Sequence, residues 1–443
     1  MLLNIKRIVF NFKTKLLKPR IFNSYKKNEN ELADGSVKLL SSKKKYKLIQ
    51  HAYLNSSFYK TKYASILKNQ TIITEDTFLK LPPLTREELA LNFNTIKVNG
   101  LKPWHTKKVS SSGSTGTPIT VLHDLRFNTT SLQWRILNWW GVKPYENQAY
   151  IYRYKRSLLK RITNTVLWWP TRRIFLPGAE MNLTEVKKFV CQINTVKPTL
   201  LQGYVDVVYE FALYLLDHNL KIHPPKMIWV TSAPLLKKQR DIMEQAFSAP
   251  VCDQYGNTEV LLIAAECPEQ KGLHILQDAV HIEYVDENNL PVAPNVTGKI
   301  LITDLNNYAF PIIRYEIGDR GQYTNEQCSC EIPLPLMHAI KGRQAIALKT
   351  PSGLEIKSEH LHILLERQLN HIREIQLIQH QKFSLEIHYV IDPAINKSES
   401  NELKTIVKTL KEKTRNEINI TTLKVNSIQV RKNKKPILIS LLD

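Results

Sequence analysis

The chain has 443 residues, of which 43% are hydrophobic and 23% are charged, with only 14 glycines and 22 prolines. These proportions are typical of soluble globular proteins, so a collagen-like, low-complexity or largely disordered chain is excluded. The length excludes a single small binding module, because a domain takes roughly 150 residues. Lysine and arginine total 62 against 40 aspartates and glutamates, a formal net charge of +22. That excess indicates phosphates, nucleic acid or an anionic membrane surface as partners.

The cysteine count and the hydropathy pattern bear on the compartment. Five cysteines in a chain of this length argue against a disulfide framework and for a reducing compartment, so a cytoplasmic location is expected. Basic residues interrupt the apolar ones near the N-terminus, so no signal-peptide core is expected there. The chain also lacks a run of about eighteen apolar residues, and no membrane span is predicted.

Residues 1–44 are predicted to form a basic amphipathic helical segment. The first helix is expected to end at the Lys18-Pro19 step, because proline disfavours helical geometry in the residue before it. Two interpretations of this segment stay open. It anchors the protein peripherally on the inner membrane face, with apolar side chains in the headgroup boundary and basic ones on anionic lipid, or it packs across the back of the fold.

Strand-like and helix-like stretches alternate from about residue 125 onward, which predicts an α/β domain with a largely parallel sheet. The clearest examples are Thr199–Gly203, Val205–His218 and Met227–Ser232. After residue 343 the pattern changes, and the remaining residues predict a small separate α+β domain. Its predicted elements are the helices Glu359–Leu369 and Glu402–Lys413, the alternating stretch Phe383–Val390 and a final strand at Pro436–Leu441.

A short segment rich in serine and glycine, SSSGSTGTP at Ser110–Pro118, carries a recognisable chemistry. Small residues let the backbone approach an anion closely, and N–H groups and hydroxyls can then donate hydrogen bonds to it. The segment therefore predicts a phosphate-binding loop, although a flexible turn is an equally good interpretation of these residues alone. It lacks the Gly-Lys-Ser/Thr ending of a Walker loop, which argues against a standard P-loop NTPase.

Three further polar motifs follow predicted strands, where open α/β sheets bind their ligands. They are DQYGNTE at Asp253–Glu259, RYEIGD at Arg314–Asp319 and KGR at Lys341–Arg343. Together with the serine- and glycine-rich loop, they make the chain resemble the adenylate-forming (AMP-binding) superfamily over roughly residues 45–443. Within it the chain is similar to the phenylacetate-CoA ligase branch, which includes CapK-like proteins of surface-polysaccharide loci.

This resemblance implies a large adenylation domain at 45–343 and a small mobile lid at 344–443. It implies an ATP-dependent ligase that makes an acyl-adenylate from a small carboxylic acid, releases pyrophosphate, and passes the acyl group to coenzyme A. It also implies roles for single residues. The triphosphate is assigned to Ser112, Gly113, Ser114, Thr115, Gly116 and Thr117, adenine to Tyr255, the α-phosphate to Thr258, Mg²⁺ to Glu259, the ribose hydroxyls to Asp319, and further nucleotide contacts to Gly256, Asn257 and Arg343.

A catalytic lysine is implied near the C-terminus. A carboxylate attacking a phosphate is a displacement between anions, so the site must supply hydrogen-bond donors, a metal ion and positive charge. Aligning the last predicted strand with the family gives Lys434 this role, with Lys432 and Lys435 close by and a solvated basic tail as the alternative. The family's hinge aspartates are replaced by Gln344-Ala345, which leaves the second half-reaction open.

Cysteines and a histidine form a second constellation, at Cys267, His274, Cys328 and Cys330. Three thiolates and an imidazole are the ligand set of a closed structural zinc site, although the spacing is not that of a common finger. Members of the phenylacetate-CoA ligase branch, which the chain resembles, have a similar Cys…His…Cys-x-Cys pattern. Buried unpaired thiols are the alternative, and Cys191 and Cys252 are expected in the core.

Several functions remain open at this point. CapK-like proteins suggest acyl or aminoacyl transfer onto a surface-polysaccharide precursor, and the altered hinge suggests a catalytically silent nucleotide-binding scaffold. A nucleic-acid partner is not expected, because no helix-turn-helix, finger or RNA-binding motif is present. The cluster Trp134, Trp139 and Trp140, with Trp168-Trp169, lines an acyl pocket or belongs to the core. Neither the carboxylic acid nor the oligomeric state follows from the sequence.

Overall fold

The computed structural model describes most of the chain. The described residues are 2–68, 70, 72–110, 119–127, 129–152, 157–178, 181–338, 340, 347–357, 361, 365, 372–391, 401–428 and 438–440.

Helices make up the first hundred residues. They are α1 (Leu2–Leu17), α2 (Pro19–Ala33), α3 (Val37–Asn55), α4 (Ser57–Lys62), α5 (Ala64–Leu67), α6 (Glu75–Lys80), α7 (Arg86–Leu91) and α8 (Phe93–Ile96). The expected break at Lys18-Pro19 is confirmed, but a second helix follows directly. Pro19 occupies the first position of α2, where a missing N–H leaves no helical hydrogen bond unmade.

The N-terminal segment is joined to the main body by packing. Phe10, Ile21 and Val37 are buried in the same core cluster as the residues that follow them. Helix α3 runs without interruption through positions 44 and 45, where the sequence suggested a boundary. One face of the segment therefore packs on the fold, as the second interpretation of this segment expected.

A nine-stranded sheet forms the centre of the described chain, in the order β13-β14-β9-β8-β7-β6-β5-β3-β4. Its strands are β3 (Gln148–Tyr152), β4 (Arg173–Pro177), β5 (Leu200–Tyr204), β6 (Met227–Thr231), β7 (Val251–Tyr255), β8 (Ala264–Glu266), β9 (Leu273–Ile275), β13 (Tyr323–Thr324) and β14 (Leu336–Met337). Strands β4, β3, β5, β6 and β7 are parallel, whereas the pairs from β7 to β13 are antiparallel. The parallel part has the 2-1-3-4-5 order of doubly wound sheets.

Helices cover the sheet and two smaller sheets extend it. The helices are α9 (Thr129–Trp139), α10 (Leu158–Trp168), α11 (Leu183–Val196), α12 (Val205–Asp217) and α13 (Lys237–Phe247). The smaller sheets are the hairpin β1 (Thr106–Ser110) and β2 (Thr120–Asp124), and the antiparallel trio β10 (Val280–Val285), β11 (Gly298–Asp304) and β12 (Tyr315–Gly321). Four of the helices, α10 to α13, each connect two parallel strands, so the predicted α/β class is confirmed.

Strand β6 shows how the sheet separates two cores. Met227 and Trp229 belong to the first core, and Ile228 and Val230 belong to the second. Alternate side chains of a strand point to opposite faces, so a continuous apolar strand is buried on both sides. Trp134 and Trp140 are also buried in the first core, whereas Trp169 is exposed.

The C-terminal residues have a core of their own. The elements are β15 (Ala347–Lys349), β16 (Glu355–Lys357), β17 (Ile372–Gln379), β18 (Leu385–Ile391), α14 (Asn401–Lys413), β19 (Ile420–Lys424) and β20 (Leu438–Ser440), with a sheet in the order β19-β18-β17-β20. Every buried residue of this core lies between Leu348 and Leu438. The expected strand at 383–390, helix at 402–413 and final strand are confirmed, and the expected helix at 359–369 falls largely outside the described residues.

A polar network ties the N-terminal helices to β10. Lys45 on α3 donates to both carboxylate oxygens of Glu75 at 2.9 and 2.7 Å, and its Nζ lies 3.5 Å from Nε2 of His281. The imidazole also meets the Phe78 ring edge-on, with centroids 5.3 Å apart. Burial, with Lys45 as a second cause, lowers the pKa of His281 to about 3.

The low pKa of His281 predicts a stability that declines in mild acid. An unfolded histidine titrates near pH 6.5, so the folding contribution of the neutral ring is fully present above that pH and is lost as the pH falls toward 3. Against a His281→Gln variant, the wild-type free energy of unfolding should fall by about 1.4 kcal/mol per pH unit below about pH 6. Urea denaturation of both proteins across this range measures the difference, and parallel pH profiles would contradict the prediction.

Candidate active site

The motif QYGNTE begins where β7 ends, at the carboxyl edge of the parallel strands. Tyr255 is the last residue of β7, and its hydroxyl donates to Oδ2 of Asp319 at 2.8 Å. Asp319 lies on β12 and is buried. Two residues that the family resemblance assigns to adenine and ribose, 64 positions apart, are therefore in direct contact.

The backbone after β7 closes into a turn. The Leu261 N–H donates to the Asn257 carbonyl at 2.9 Å, and the Ile263 N–H donates to the Tyr255 carbonyl at 3.0 Å. The Asn257 side chain accepts from the Val260 N–H at 2.7 Å. A Cβ on Gly256 would lie 1.8 Å from the Leu261 carbonyl oxygen, so only glycine fits here.

Replacing Gly256 by alanine should open this turn. The new methyl group cannot coexist with the Leu261 carbonyl oxygen, and the forced backbone shift should cost about 1–3 kcal/mol. Because Tyr255 and Asn257 flank the glycine, nucleotide affinity should fall together with stability. Thermal unfolding and fluorescent ATP-analogue titration measure the two effects, and an alanine variant with unchanged values of both would contradict the expectation.

The end of the motif is held by two residues that the sequence analysis did not single out. Glu259 is buried, and its Oε1 lies 3.9 Å from a guanidinium nitrogen of Arg86, the first residue of α7. His123 on β2 donates from Nε2 to the Thr258 carbonyl at 2.8 Å. Burial lowers the pKa of His123, which favours the neutral ring that this hydrogen bond uses.

His123 also relates the motif to the predicted phosphate loop. Strands β1 and β2 pair so that Ser110 faces Thr120, with their hydroxyl oxygens 2.9 Å apart, and the loop connects these two residues. The two ends of the loop are thus brought together, and β2 contacts the turn that carries Thr258. No motif in the sequence marked His123; only the position of β2 beside the turn does.

Several predicted site residues lie outside the described residues. They are Ser112, Gly113, Ser114, Thr115, Gly116, Thr117, Arg343 and Lys434, together with the hinge residues Gln344 and Ala345.

The four predicted metal ligands come together. The donor atoms of Cys267, His274, Cys328 and Cys330 all lie within 4.8 Å of one another. The sulfurs of Cys267 and Cys328 are 3.6 Å apart, and the Cys330 sulfur is 3.2 Å from Nε2 of His274. Tetrahedral zinc with bonds of about 2.3 Å to sulfur requires ligand separations of this size.

The orientation of the imidazole suits a metal. Nδ1 of His274 donates to the Leu334 carbonyl at 3.0 Å, so the neutral ring leaves Nε2 with its lone pair toward the cysteines. The pairing of β9 with β14, which places His274 opposite Leu336, brings that carbonyl close. Of the other two cysteines, Cys252 is buried as expected, but Cys191 is exposed. The expectation for Cys191 was wrong because α11 turns a different face, that of Phe189 and Ile193, to the core.

Comparison with solved structures identifies the fold. No protein-family model matches the chain. The 2-hydroxyisobutyryl-CoA ligase in its postadenylation state, in complex with R3-HIB-AMP, superposes with a TM-score of 0.71 at 16% identity, covering 92% of this chain and 90% of that one. The amide bond synthetase McbA from Marinactinospora thermotolerans superposes with a TM-score of 0.54 at 14% identity, covering 76% and 69%. The chain therefore has the fold of the adenylate-forming ligases, as the motifs suggested.

One curated protein is similar in sequence. Protein CapK of Staphylococcus aureus is 23% identical over 285 residues, which cover 61% of this chain. The chain spans 60% of the length of CapK in this match. The fold expected from the motifs agrees with the solved structures, and the expected resemblance to CapK-like proteins agrees with this sequence similarity.

Proposed function

We propose that the protein is an AMP-forming ligase that activates a small carboxylic acid with ATP. A carboxylate oxygen attacks the α-phosphorus, the bond to the bridging oxygen of pyrophosphate breaks, and acyl-adenylate and pyrophosphate form. The observation that carries the proposal is the contact of Tyr255 with Asp319 at the carboxyl edge of the sheet, where open α/β sheets bind nucleotides. The fold shared with 2-hydroxyisobutyryl-CoA ligase supports it.

The residues of the site would divide the work among binding, orientation and charge. Asp319 would accept hydrogen bonds from the ribose and Tyr255 would lie against adenine, with Gly256 and Asn257 fixing the turn. Thr258 would donate to the α-phosphate, and the loop 112–117 and Arg343 would hold the remaining phosphate charge. The backbone of Thr258 is fixed by His123, so its side chain would meet the phosphate without reorganisation.

Glu259 would hold a magnesium ion. A carboxylate is the hard oxygen ligand that Mg²⁺ takes, and this one is buried on the turn after β7. The ion would neutralise phosphate charge during the displacement. Arg86, with a guanidinium nitrogen 3.9 Å from the same carboxylate, would orient Glu259.

We assign a lid to residues 344–443 and, as the resemblance implies, the adenylation domain to residues 45–343, although its first residue lies inside α3. The separate core between Leu348 and Leu438 supports a unit able to move as a body. Lys434 would reach the α-phosphate from this lid as a point charge. With Lys432→Ala as the matched control, Lys434→Ala should slow adenylation by about a hundredfold or more. Single-turnover formation of the adenylate measures this, and equal rates in the two variants would show that Lys434 is only surface charge.

The proposed second half-reaction requires an acceptor for the acyl group. We place coenzyme A first, because 2-hydroxyisobutyryl-CoA ligase superposes over 92% of this chain. The thiol of coenzyme A would attack the acyl carbon of the adenylate, lose its proton and displace AMP. The similarity to CapK favours a second candidate, acyl or aminoacyl transfer onto a surface-polysaccharide precursor.

ATP–pyrophosphate exchange tests the first half-reaction without knowledge of the acceptor. Purified full-length protein would be assayed against aryl, fatty, hydroxy and amino acids. We expect exchange with one class, which names the substrate. ATP binding without exchange across the whole panel would overturn the proposal in favour of a silent nucleotide-binding scaffold.

We also propose that Cys267, His274, Cys328 and Cys330 hold a structural zinc ion. The four donors fill a tetrahedral shell, so no position is left for a substrate, which is typical of structural rather than catalytic zinc.

We propose a cytoplasmic location, because ATP and a reducing environment for the thiols suit this compartment. No helix of the described chain has the length and apolar character that crossing a bilayer requires.

A further inference from the structure

Helix α1 has an apolar stripe that the described part of the chain leaves uncovered. Ile5, Ile8, Phe12 and Leu16 are between 53% and 71% exposed. Their spacing of three, four and four residues places them on one side of the helix. Phe10, which is 4% exposed, holds another side of the same helix against the core. Packing of the helix on the fold therefore leaves its apolar stripe facing outward.

A second helix, far away in the sequence, shows the same pattern. On α10, Leu159, Ile162, Val166 and Leu167 are between 50% and 72% exposed, at a spacing of three, four and one. Trp169, directly after the helix, is 59% exposed. Helix α10 connects β3 to the edge strand β4, so it lies at one margin of the central sheet. Apolar side chains in these numbers on one helix indicate a binding surface.

The two helices are neighbours. Nζ of Lys13 on α1 donates to the carbonyl oxygens of Val166 and Trp169, at 2.7 and 2.9 Å. Nζ of Lys18 lies 4.0 Å from the ring centroid of Trp168. The two contacts join the C-terminal half of α1, and the residue directly after it, to the C-terminal end of α10. We call the exposed apolar residues of both helices the two-helix surface: Ile5, Ile8, Phe12, Leu16, Leu159, Ile162, Val166, Leu167 and Trp169.

The charge around this surface decides which partner it fits. Residues 1–28 and 147–179 contain lysines and arginines but no aspartate or glutamate. Helix α1 itself carries Lys6, Arg7, Lys13 and Lys15. A second copy of the chain would bring the same positive charge to the contact and repel it. Anionic lipid supplies both an apolar layer for the stripes and negative headgroups for the basic residues.

We propose that the two-helix surface docks the protein on an anionic lipid bilayer, with both stripes in the boundary between headgroups and acyl chains. Trp169 would sit at headgroup level, where tryptophan is enriched in membrane proteins. The surface extends the contact that the sequence suggested for the N-terminal helix alone, because α10 doubles it. The proposal does not depend on the adenylation activity.

Vesicle flotation of the full-length protein tests the proposal. The probes are vesicles of phosphatidylcholine alone and of phosphatidylcholine mixed with phosphatidylglycerol. Two double variants remove one stripe each, Ile8→Glu with Phe12→Glu on α1 and Ile162→Glu with Val166→Glu on α10. The control is Leu290→Glu with Val296→Glu, which replaces two exposed apolar residues between β10 and β11. Circular dichroism and thermal unfolding verify that each variant is folded.

We expect the wild type and the control to float with the anionic vesicles and to detach in high salt. Each stripe variant should bind the anionic vesicles at least about tenfold more weakly than the wild type. Absence of wild-type binding, or equal binding to the neutral vesicles, would overturn the proposal. Loss in the α1 variant only would exclude α10 from the surface. A wild-type dimer that the stripe variants dissociate, without vesicle binding, would make a second copy the partner and also overturn it.

Discussion

Replacing Glu259 by glutamine should lower ATP–pyrophosphate exchange by about a thousandfold while the protein stays folded. Glutamine keeps the size of the side chain but removes the negative charge that would hold Mg²⁺ against the phosphates. The same change takes from Arg86 the carboxylate that lies 3.9 Å from its guanidinium. Exchange assays at saturating substrate, with Mg²⁺ varied, separate lost metal affinity from lost turnover.

Glu412→Gln is the matched control for this experiment. Glu412 is exposed on α14, outside the motifs of the proposed site. The control should exchange at the wild-type rate. Full activity of the Glu259→Gln protein would contradict the assignment of this residue to the metal.

Loss of the cysteine and histidine cluster should have the second large effect. Cys330→Ser, or prolonged treatment with a strong zinc chelator, should lower the free energy of unfolding by about 3–5 kcal/mol. The physical reason is that the donors, brought within 4.8 Å of one another, would be held by metal bonds instead of weak thiol contacts. Elemental analysis and urea denaturation measure the metal and the stability.

Cys191→Ser serves as the control for the metal experiment, since Cys191 is exposed and is not one of the four clustered donors. It should keep both the metal content and the unfolding midpoint. Protein purified without chelator should contain about one zinc per chain. A content under about half an equivalent, or a stability indifferent to chelation, would contradict the proposal of structural zinc.

Local signals in the sequence were sufficient to predict several helices and strands. A proline after Lys18 ends one helix, and alternating residues at 383–390 form a strand, because both depend on neighbours in the chain. The alternation of strands and helices likewise predicted the α/β class. The predicted boundary after residue 44 lies inside α3, which spans Val37–Asn55.

Contacts between distant residues could be anticipated only where a motif or an unusual residue type marked them. Motifs marked Tyr255 and Asp319, which the resemblance assigned to the same nucleotide, and the set of three cysteines and a histidine marked the candidate metal site. His123 and Arg86 carry neither signal. Their roles depend on the position of β2 and α7 beside the turn after β7, which a single sequence does not reveal.

The amphipathic character of α10 could be predicted from the sequence, since the apolar residues Leu159, Ile162 and Val166 are spaced by three and four positions. A period of this kind states which side of a helix is apolar, but not whether anything covers it. Trp168-Trp169 was expected in a core or a pocket for the same reason. Exposure became visible only when the neighbours of α10 were known.

The proposed zinc cluster would have a topological consequence for the proposed nucleotide site. Cys267 and Cys328 stand 61 positions apart, and β10, β11 and β12 all lie between them. A cation held by both cysteines closes this length of chain into a ring and removes about 4 kcal/mol of unfolded-chain entropy by the cross-link model. Asp319 is inside the ring and Tyr255 is outside it. Their hydrogen bond joins the enclosed segment to the chain outside it, so loss of the metal would lower the stability of the fold that holds this contact.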